Sequence, residues 1–383
     1  MTVALLGFGV VGSGVYEILN NIPQYNVKRI LIRNPQKLSM NCMTLDFCDI
    51  VNDKDIDIVV EAIGGLHPAK EYILACLNAK KHVVTANKAV VAAFFKEFVD
   101  AANANGVKFL VEATSGGGIP WIKNLQRAGR IDSINKVYGI MNGTSNYILS
   151  SMENRKIEFT DALKEAQQLG YAESDSSADI DGDDVCNKCA ISASIAFRYP
   201  INICDIQYSG IRNISKFDIE VLSKEGYCVK LFAFAIRQSD CFDAVAEPVI
   251  LNKNTIEANV GQNYNITCLY GDTIGEIKLF GQGAGSLPTA NAIVQDIIDI
   301  NTDNSFDIIF DNNIKKADII KGRYYIRIPS NTFGWREIIG KWVDVQQPVE
   351  NNIIIITKEI SPILIHKLLD SCNTPIFAAR FFK

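Results

Sequence analysis

Histidine is scarce in this chain of 383 residues: His67, His82 and His366 are scattered and lack ligand spacing, which excludes histidine-based zinc chemistry. Long hydrophobic runs are missing too. No stretch of about eighteen apolar residues escapes charges or turn formers, so a spanning helix is not expected. Basic excess is absent, with 38 Lys and Arg against 43 Asp and Glu and a net charge of -5. That leaves no field to hold nucleic acid or an anionic membrane. The ten cysteines have no regular spacing, so reduced thiols in a cytoplasmic protein are expected rather than a disulfide framework. The one CxxC, Cys186 to Cys189, has helical flanks, and its thiols read as small packing residues. The apolar N-terminus carries glycines and no basic leader region, which argues for a strand and turn rather than a signal peptide. No repeat or low-complexity tract stands out. The length suits two or three domains.

What is present begins at residue 2. Residues 2–6 form an apolar run of strand length, followed by Gly7-Phe8-Gly9-Val10-Val11-Gly12 and then by Val15, Ile18 and Leu19 at helical spacing. Strand, glycine turn and helix together make the dinucleotide fingerprint. Gly7 permits the tight turn, Gly9 admits a pyrophosphate to the helix N-terminus, and Gly12 lets helix and strand pack closely. A second strand at 27–32 ends at Arg33 and not at the acidic residue that would bind a ribose 2′-hydroxyl. A guanidinium suits a 2′-phosphate, so NADP is expected over NAD; a solvated surface arginine is the alternative.

The alternation continues with strands at 58–63, 82–85 and 108–111 and helices at 68–79 and 89–104. This predicts a Rossmann-type doubly wound parallel sheet. Ligands on such a sheet lie at the carboxyl ends of the strands, which places Gly64, Asn87, Lys88 and Ser115 around the cofactor. The domain is expected at 1–125, completed by about 281–305. An α+β region at 126–280 follows, with helices at 145–154, 160–169 and 183–198 and short strands forming an antiparallel sheet. The last sixty residues alternate strand, helix, strand, helix, strand.

The segment 170–197 holds the most chemistry. Its carboxylates Glu173, Asp175, Asp179, Asp181, Asp183 and Asp184 lack EF-hand order, since glycine and glutamate fall at the wrong positions. The helix from 185 to 197 has a single charge, Lys188, and should be buried. Such a lysine is costly unless paired or functional. Asp184 precedes it by four residues and so shares its face. Burial opposes the ammonium and the carboxylate supports it, which suits proton transfer; a structural core pair is the alternative. Lys88 follows a strand of the nucleotide sheet, where it could meet a substrate at the nicotinamide or simply open an exposed helix. The loop Glu112-Ala113-Thr114-Ser115-Gly116-Gly117-Gly118-Ile119-Pro120 could hold a cation by main-chain oxygens or let a substrate approach.

Together these motifs resemble the homoserine dehydrogenase family over nearly the whole chain. They are GFGVVGSGV, EAIGG at 61–65, HVVTANKA at 82–89, EATSGGGIP at 112–120, NGTSNYIL at 142–149, EAQQLGYAESDSSADIDGDD at 165–184 with Lys188, and GQGAGSLPTA at 281–290. The resemblance implies NAD(P)H-dependent, reversible reduction of L-aspartate 4-semialdehyde to L-homoserine, on the path to threonine, isoleucine and methionine. It implies Lys188 as proton donor and acceptor, with Asp184 as its acidic partner and Lys88 at the nicotinamide end. Glu173 would bind the substrate amino group, with Asp179 beside it. Glu112, Ser115, Gly117 and Ile119 would bind a monovalent cation, usually sodium. Gly283 would close over a cofactor also contacted by Gly7, Phe8, Gly9, Val10, Val11, Gly12, Arg33, Gly64, Lys88 and Ser115. A homodimer or homotetramer is implied, without a nucleic-acid or membrane partner. The kinase domain fused to some relatives is not expected, because the chain opens at the fingerprint. Residues 320–383 resemble a reduced ACT-like domain whose effector turn is poorly preserved. That speaks against ordinary threonine feedback and leaves a structural or dimerising role open. A cofactor-binding sensor without turnover and another NAD(P)-dependent amino acid dehydrogenase are the rival readings. Intact Lys188, Asp184, Glu173 and Lys88 argue against the first, and GYAE with DGDD-x3-K against the second.

Overall fold

The computed structural model describes residues 1–37, 39–372 and 374–382. The chain forms two compact units. The first comprises residues 1–133, 191–202 and 281–312. Its strands are β1 (Thr2–Leu6), β2 (Asn26–Leu31), β3 (Met43–Thr44), β4 (Ile58–Glu61), β5 (His82–Thr85) and β6 (Phe109–Leu110). They form one parallel sheet in the order β3-β2-β1-β4-β5-β6. Strand order reverses at β1 and β4, and such a switch point opens a crevice at the carboxyl ends. Four of five β1 residues and all of β4 are buried, as runs covered on both faces require.

The helix Val10–Asn20 follows β1, and the helix Ser286–Asn301 packs beside it. Gly14 makes the close approach possible. A Cβ there would lie 3.0 Å from Ser286 Oγ and 3.1 Å from Ala290 Cβ. Ala290, Ile293, Val294 and Ile297 then join Val3, Leu5, Val15 and Leu19 in one core.

The second unit comprises residues 134–190, 203–280 and 313–383. Its strands are β7 (Ile134–Ile140), β8 (Gln207–Tyr208), β9 (Tyr227–Gln238), β10 (Cys241–Asn252), β11 (Tyr264–Gly271), β12 (Gly275–Gln282), β13 (Lys315–Lys316), β14 (Tyr324–Pro329), β15 (Val343–Val349), β16 (Asn352–Thr357) and β17 (Phe377–Phe381). The main path runs β12-β11-β7-β9-β10-β17-β14-β16-β15. The sequence predicts short strands and an antiparallel sheet. Instead β9 and β10 form a hairpin of twelve residues each, and β10 pairs in parallel with β8, β13 and β17. Parallel partners come from distant chain segments, which local patterning does not report.

The C-terminal part reads strand, helix, strand, strand, helix, strand, one strand more than expected. The missed strand is β15, a largely exposed edge whose VDVQQPV sequence lacks a buried alternating face. Its four strands lie in the order β17-β14-β16-β15. All ten cysteines are free thiols, and Cys186 and Cys189 are buried packing residues as expected. Among the described residues no helix is long and apolar enough to cross a membrane.

Candidate functional site

In the first unit, β1 runs into the glycine turn. Gly7 has φ +103°, and a Cβ there would lie 2.7 Å from Ala62 O. At Gly12 a Cβ would come within 2.3 Å of Gly7 O, so turn and helix touch through bare backbone. Gly9 has open space around its Cα and caps the helix without a side-chain hydrogen bond. Phe8 is half-buried and meets Tyr16 edge-on at 5.7 Å. Val11 is half-buried, Val10 is exposed, and Arg33 is exposed just beyond β2. A helix start with open space and free amides fits the phosphates of a dinucleotide.

The carboxyl ends of β4 and β5 share a polar network. Glu61 Oε1 accepts the amides of Ile63 (2.8 Å) and Gly64 (3.3 Å), while Oε2 accepts Thr85 Oγ1 at 2.6 Å. Asn87 donates to Gly65 O at 2.7 Å and caps the helix Lys88–Asn105 by accepting Val90 N–H. Gly64 has φ +81° and open space, and Lys88 is the half-buried first residue of that helix. Glu61, Thr85 and Asn87 thus shape this end of the sheet, although sequence reasoning gives Glu61 and Thr85 no role.

The loop 112–120 is tightly folded. Gly117 has φ +60°, and a Cβ there would lie 2.4 Å from the carbonyl carbon of Gly283, so these two backbones pass in contact. Gly118 N–H donates to Gln282 O, and Ile119 N–H to Gly116 O, both at 3.0 Å. Ile119 is buried. Ser115 is fully buried, and its Oγ has no hydrogen-bond partner among the described residues. A buried hydroxyl without a protein partner fits one ligand position of a monovalent cation. Glu112 is restricted in what it can offer. Its carboxylate already accepts Ile122 N–H (3.0 Å) and Lys123 N–H (2.7 Å) at the start of the helix Trp121–Ala128. Its own N–H donates to Asp296 Oδ2 at 3.0 Å. Burial pushes the Glu112 carboxyl up to about 7, and burial with Glu112 nearby holds Asp296 well above the usual carboxylate range.

The second unit carries the acid–base cluster. Lys188, in the helix Asp183–Phe197, is 7% exposed, and Asp184, one turn earlier, is 3% exposed. Lys188 Nζ donates to Asp184 Oδ2 and to Met141 O, each at 2.7 Å. Asn142 Nδ2 donates to Asp184 Oδ2 at 2.8 Å and to Asp179 Oδ1 at 2.7 Å, drawing both carboxylates to one amide. Asn142 Oδ1 meanwhile accepts Ser145 N–H at 2.7 Å, capping the helix Gly143–Arg155. A single amide therefore starts a helix and sets the spacing of two acids. Asn142 lies within a quoted motif but is not among the expected site residues. Its signal is an N-cap asparagine before Gly-Thr-Ser.

Glu173 is placed differently. It is exposed in the turn after the helix Phe159–Gln168, and among the described residues its carboxylate makes no ion pair. The turn itself is held, since Thr144 Oγ1 donates to Tyr171 O at 2.6 Å and the Tyr147 and Tyr171 rings lie 5.0 Å apart. Lys188 beside Asp184, with Asp179 on the same amide, can polarise a carbonyl and move a proton, and Glu173 stands apart from that bonded cluster.

Two homoserine dehydrogenase profiles match: the NAD-binding domain over residues 7–112 and the homoserine dehydrogenase domain over 120–298. Homoserine dehydrogenase of Synechocystis is 42% identical over 78% of this chain and 72% of its own length. That of Bacillus subtilis is 34% identical over 85% and 80%. The crystal structure of a homoserine dehydrogenase from Thiobacillus denitrificans superposes with a TM-score of 0.87 at 32% identity, covering 100% of this chain and 98% of that one. A nicotinamide-binding sheet, a buried lysine–carboxylate pair and these likenesses agree: the chain belongs to the homoserine dehydrogenase family of NAD(P)-dependent oxidoreductases.

Proposed function

We propose that Lys188 is the proton donor and acceptor in the interconversion of L-aspartate 4-semialdehyde and L-homoserine. The observation that carries this is the Nζ of Lys188, buried and bonded to Asp184 Oδ2 and Met141 O at 2.7 Å each. The bound nicotinamide cofactor supplies or accepts the hydride. As negative charge grows on the aldehyde oxygen, Lys188 stabilises it and delivers a proton. Asp184 keeps the ammonium in place, and Asn142 keeps Asp184 and Asp179 together. Glu173 and Asp179 supply negative charge for the substrate ammonium, which favours it over a neutral aldehyde. Lys88, at its helix start, serves the nicotinamide end.

The exposed Arg33 beyond β2 supports NADP over NAD. Gly7, Phe8, Gly9, Val10, Val11, Gly12, Gly64, Ser115 and Gly283 line the cofactor. The orphaned Ser115 hydroxyl supports a sodium site shared with the carbonyls of Gly117 and Ile119, where Glu112 contributes its main-chain oxygen only. The strand order of residues 324–381 supports a reduced ACT-like module, since it is that of the split βαβ unit. Exposed Tyr270 in β11, Ile274 in the turn that follows and Phe280 in β12 support a homodimer, and ten free thiols support the cytoplasm.

The test is the rise in reduced-nicotinamide absorbance with purified protein, L-homoserine and either NADP or NAD. Turnover with a higher kcat/KM for NADP is expected. Folded protein that turns over neither L-homoserine nor the semialdehyde overturns the reading, and a preference for NAD overturns the role of Arg33.

A further inference from the structure

The acidic segment 179–184 is held on its second side by the loop 209–213. Ile211 N–H donates to Ile180 O at 2.7 Å. A Cβ on Gly210 would fall 1.9 Å from Ile180 O and 2.5 Å from Asp181 Cα, so only glycine lets the loop seat there. Arg212 grips Asp181 with two bonds of 2.6 Å and reaches Ser177 Oγ at 3.3 Å. In the same segment, Asp179 and Asp184 accept from Asn142.

The loop is in turn tied to the C-terminal strands. Asn213 Nδ2 donates to Ile376 O at 3.1 Å, and Arg327 Nη2, from β14, donates to Asn213 O at 2.6 Å. Arg327 Nε and Tyr325 OH both donate to the fully buried Asp218, which caps the helix Lys216–Lys224 with Ser215. The junction is not solid packing. A cleft of about 160 Å³ opens among Asp181, Ser209, Arg212, Asn213, Thr374 and Ile376. Across that gap the loop is held by its hydrogen bonds, so those bonds set where the acidic segment stands.

We propose that the C-terminal module positions the acidic segment 179–184 through the loop 209–213, with Arg212 and Asn213 as positioning residues. The catalytic consequence rests on the role proposed for Lys188 and Asp184. The module then contributes to turnover without touching substrate, and any ligand that entered the cleft would act on the same segment.

The experiment compares wild type with Asn213→Ala, Arg212→Gln, Arg212→Lys and, as a control in the same module, Arg323→Gln, whose partners are the exposed Asp344 and the Thr357 carbonyl. Two readouts are taken: amide hydrogen exchange over residues 177–188, and kcat and KM for L-homoserine and for cofactor. Asn213→Ala and Arg212→Gln are expected to speed exchange in that segment and to lower kcat about tenfold while cofactor KM and the unfolding midpoint hold. Arg212→Lys recovers part of the loss, and Arg323→Gln matches wild type. Unchanged exchange in 177–188 overturns the proposal, as does a loss of activity that only follows a lowered unfolding midpoint. A wild type without turnover would instead count against the role of Lys188, and the exchange result would still decide the positioning.

Discussion

Asn142 Nδ2 lies 2.8 Å from Asp184 Oδ2, and the same nitrogen lies 2.7 Å from Asp179 Oδ1. One neutral amide thus separates two acids while its oxygen starts a helix. Asn142→Ala removes the spacer and the cap together. Loss of the cap alone costs about 1 kcal/mol, which a lowered urea midpoint would show. Asn142→Asp keeps a capping oxygen but sets a third carboxylate against the other two. We expect Asn142→Asp to hold most of its stability yet lose at least about tenfold in kcat. A kcat equal to wild type would show that the spacing of the acids is irrelevant to turnover.

Arg33 is exposed beyond β2, where an acidic residue would select for a free 2′-hydroxyl. Replacing it by Glu should raise KM for NADP by about tenfold or more and leave KM for NAD unchanged or lower. Equal changes with both cofactors would mean that the guanidinium does not meet a 2′-phosphate.

His366 is 6% exposed in the helix Pro362–Ser371, and its Nε2 has no hydrogen-bond partner among the described residues. Burial holds its pKa below 6.5, against the opposing pull of Glu247 and Asp370. The folded chain therefore binds a proton at this imidazole less readily than the unfolded chain does. Below pH 6.5 the unfolded state binds more protons, so stability falls as pH drops through that window. Urea unfolding of wild type should lose more stability than His366→Gln as pH falls below 6.5. Parallel pH profiles for the two proteins would count against a buried neutral His366.

The nucleotide sheet was legible because its signals are local. Gly7, Gly9 and Gly12 sit at fixed spacing after an apolar run, β4 is buried throughout, and β5 is buried after His82. The Lys188–Asp184 pair was legible for the same reason, since a four-residue spacing on a helix is a statement about one face. Contacts between distant segments were not legible. Asn142 meets Asp184 across 42 positions, and Arg327 meets Asp218 across 109. Neither Asn nor Arg announces its partner in a sequence. Nor did patterning reveal β15, whose exposed face leaves no alternation, or that Glu112 spends its carboxylate on the amides of Ile122 and Lys123.

The most direct test concerns Lys188. Initial rates of L-homoserine oxidation would be measured for wild type, Lys188→Ala and Lys188→Met, with circular dichroism and the unfolding midpoint recorded for each. Both variants are expected to fold and bind cofactor, while kcat falls by about 100-fold or more, as loss of a positioned proton carrier does. A folded Lys188→Met with a kcat close to wild type would contradict that role, leaving the pair with Asp184 as part of the core alone.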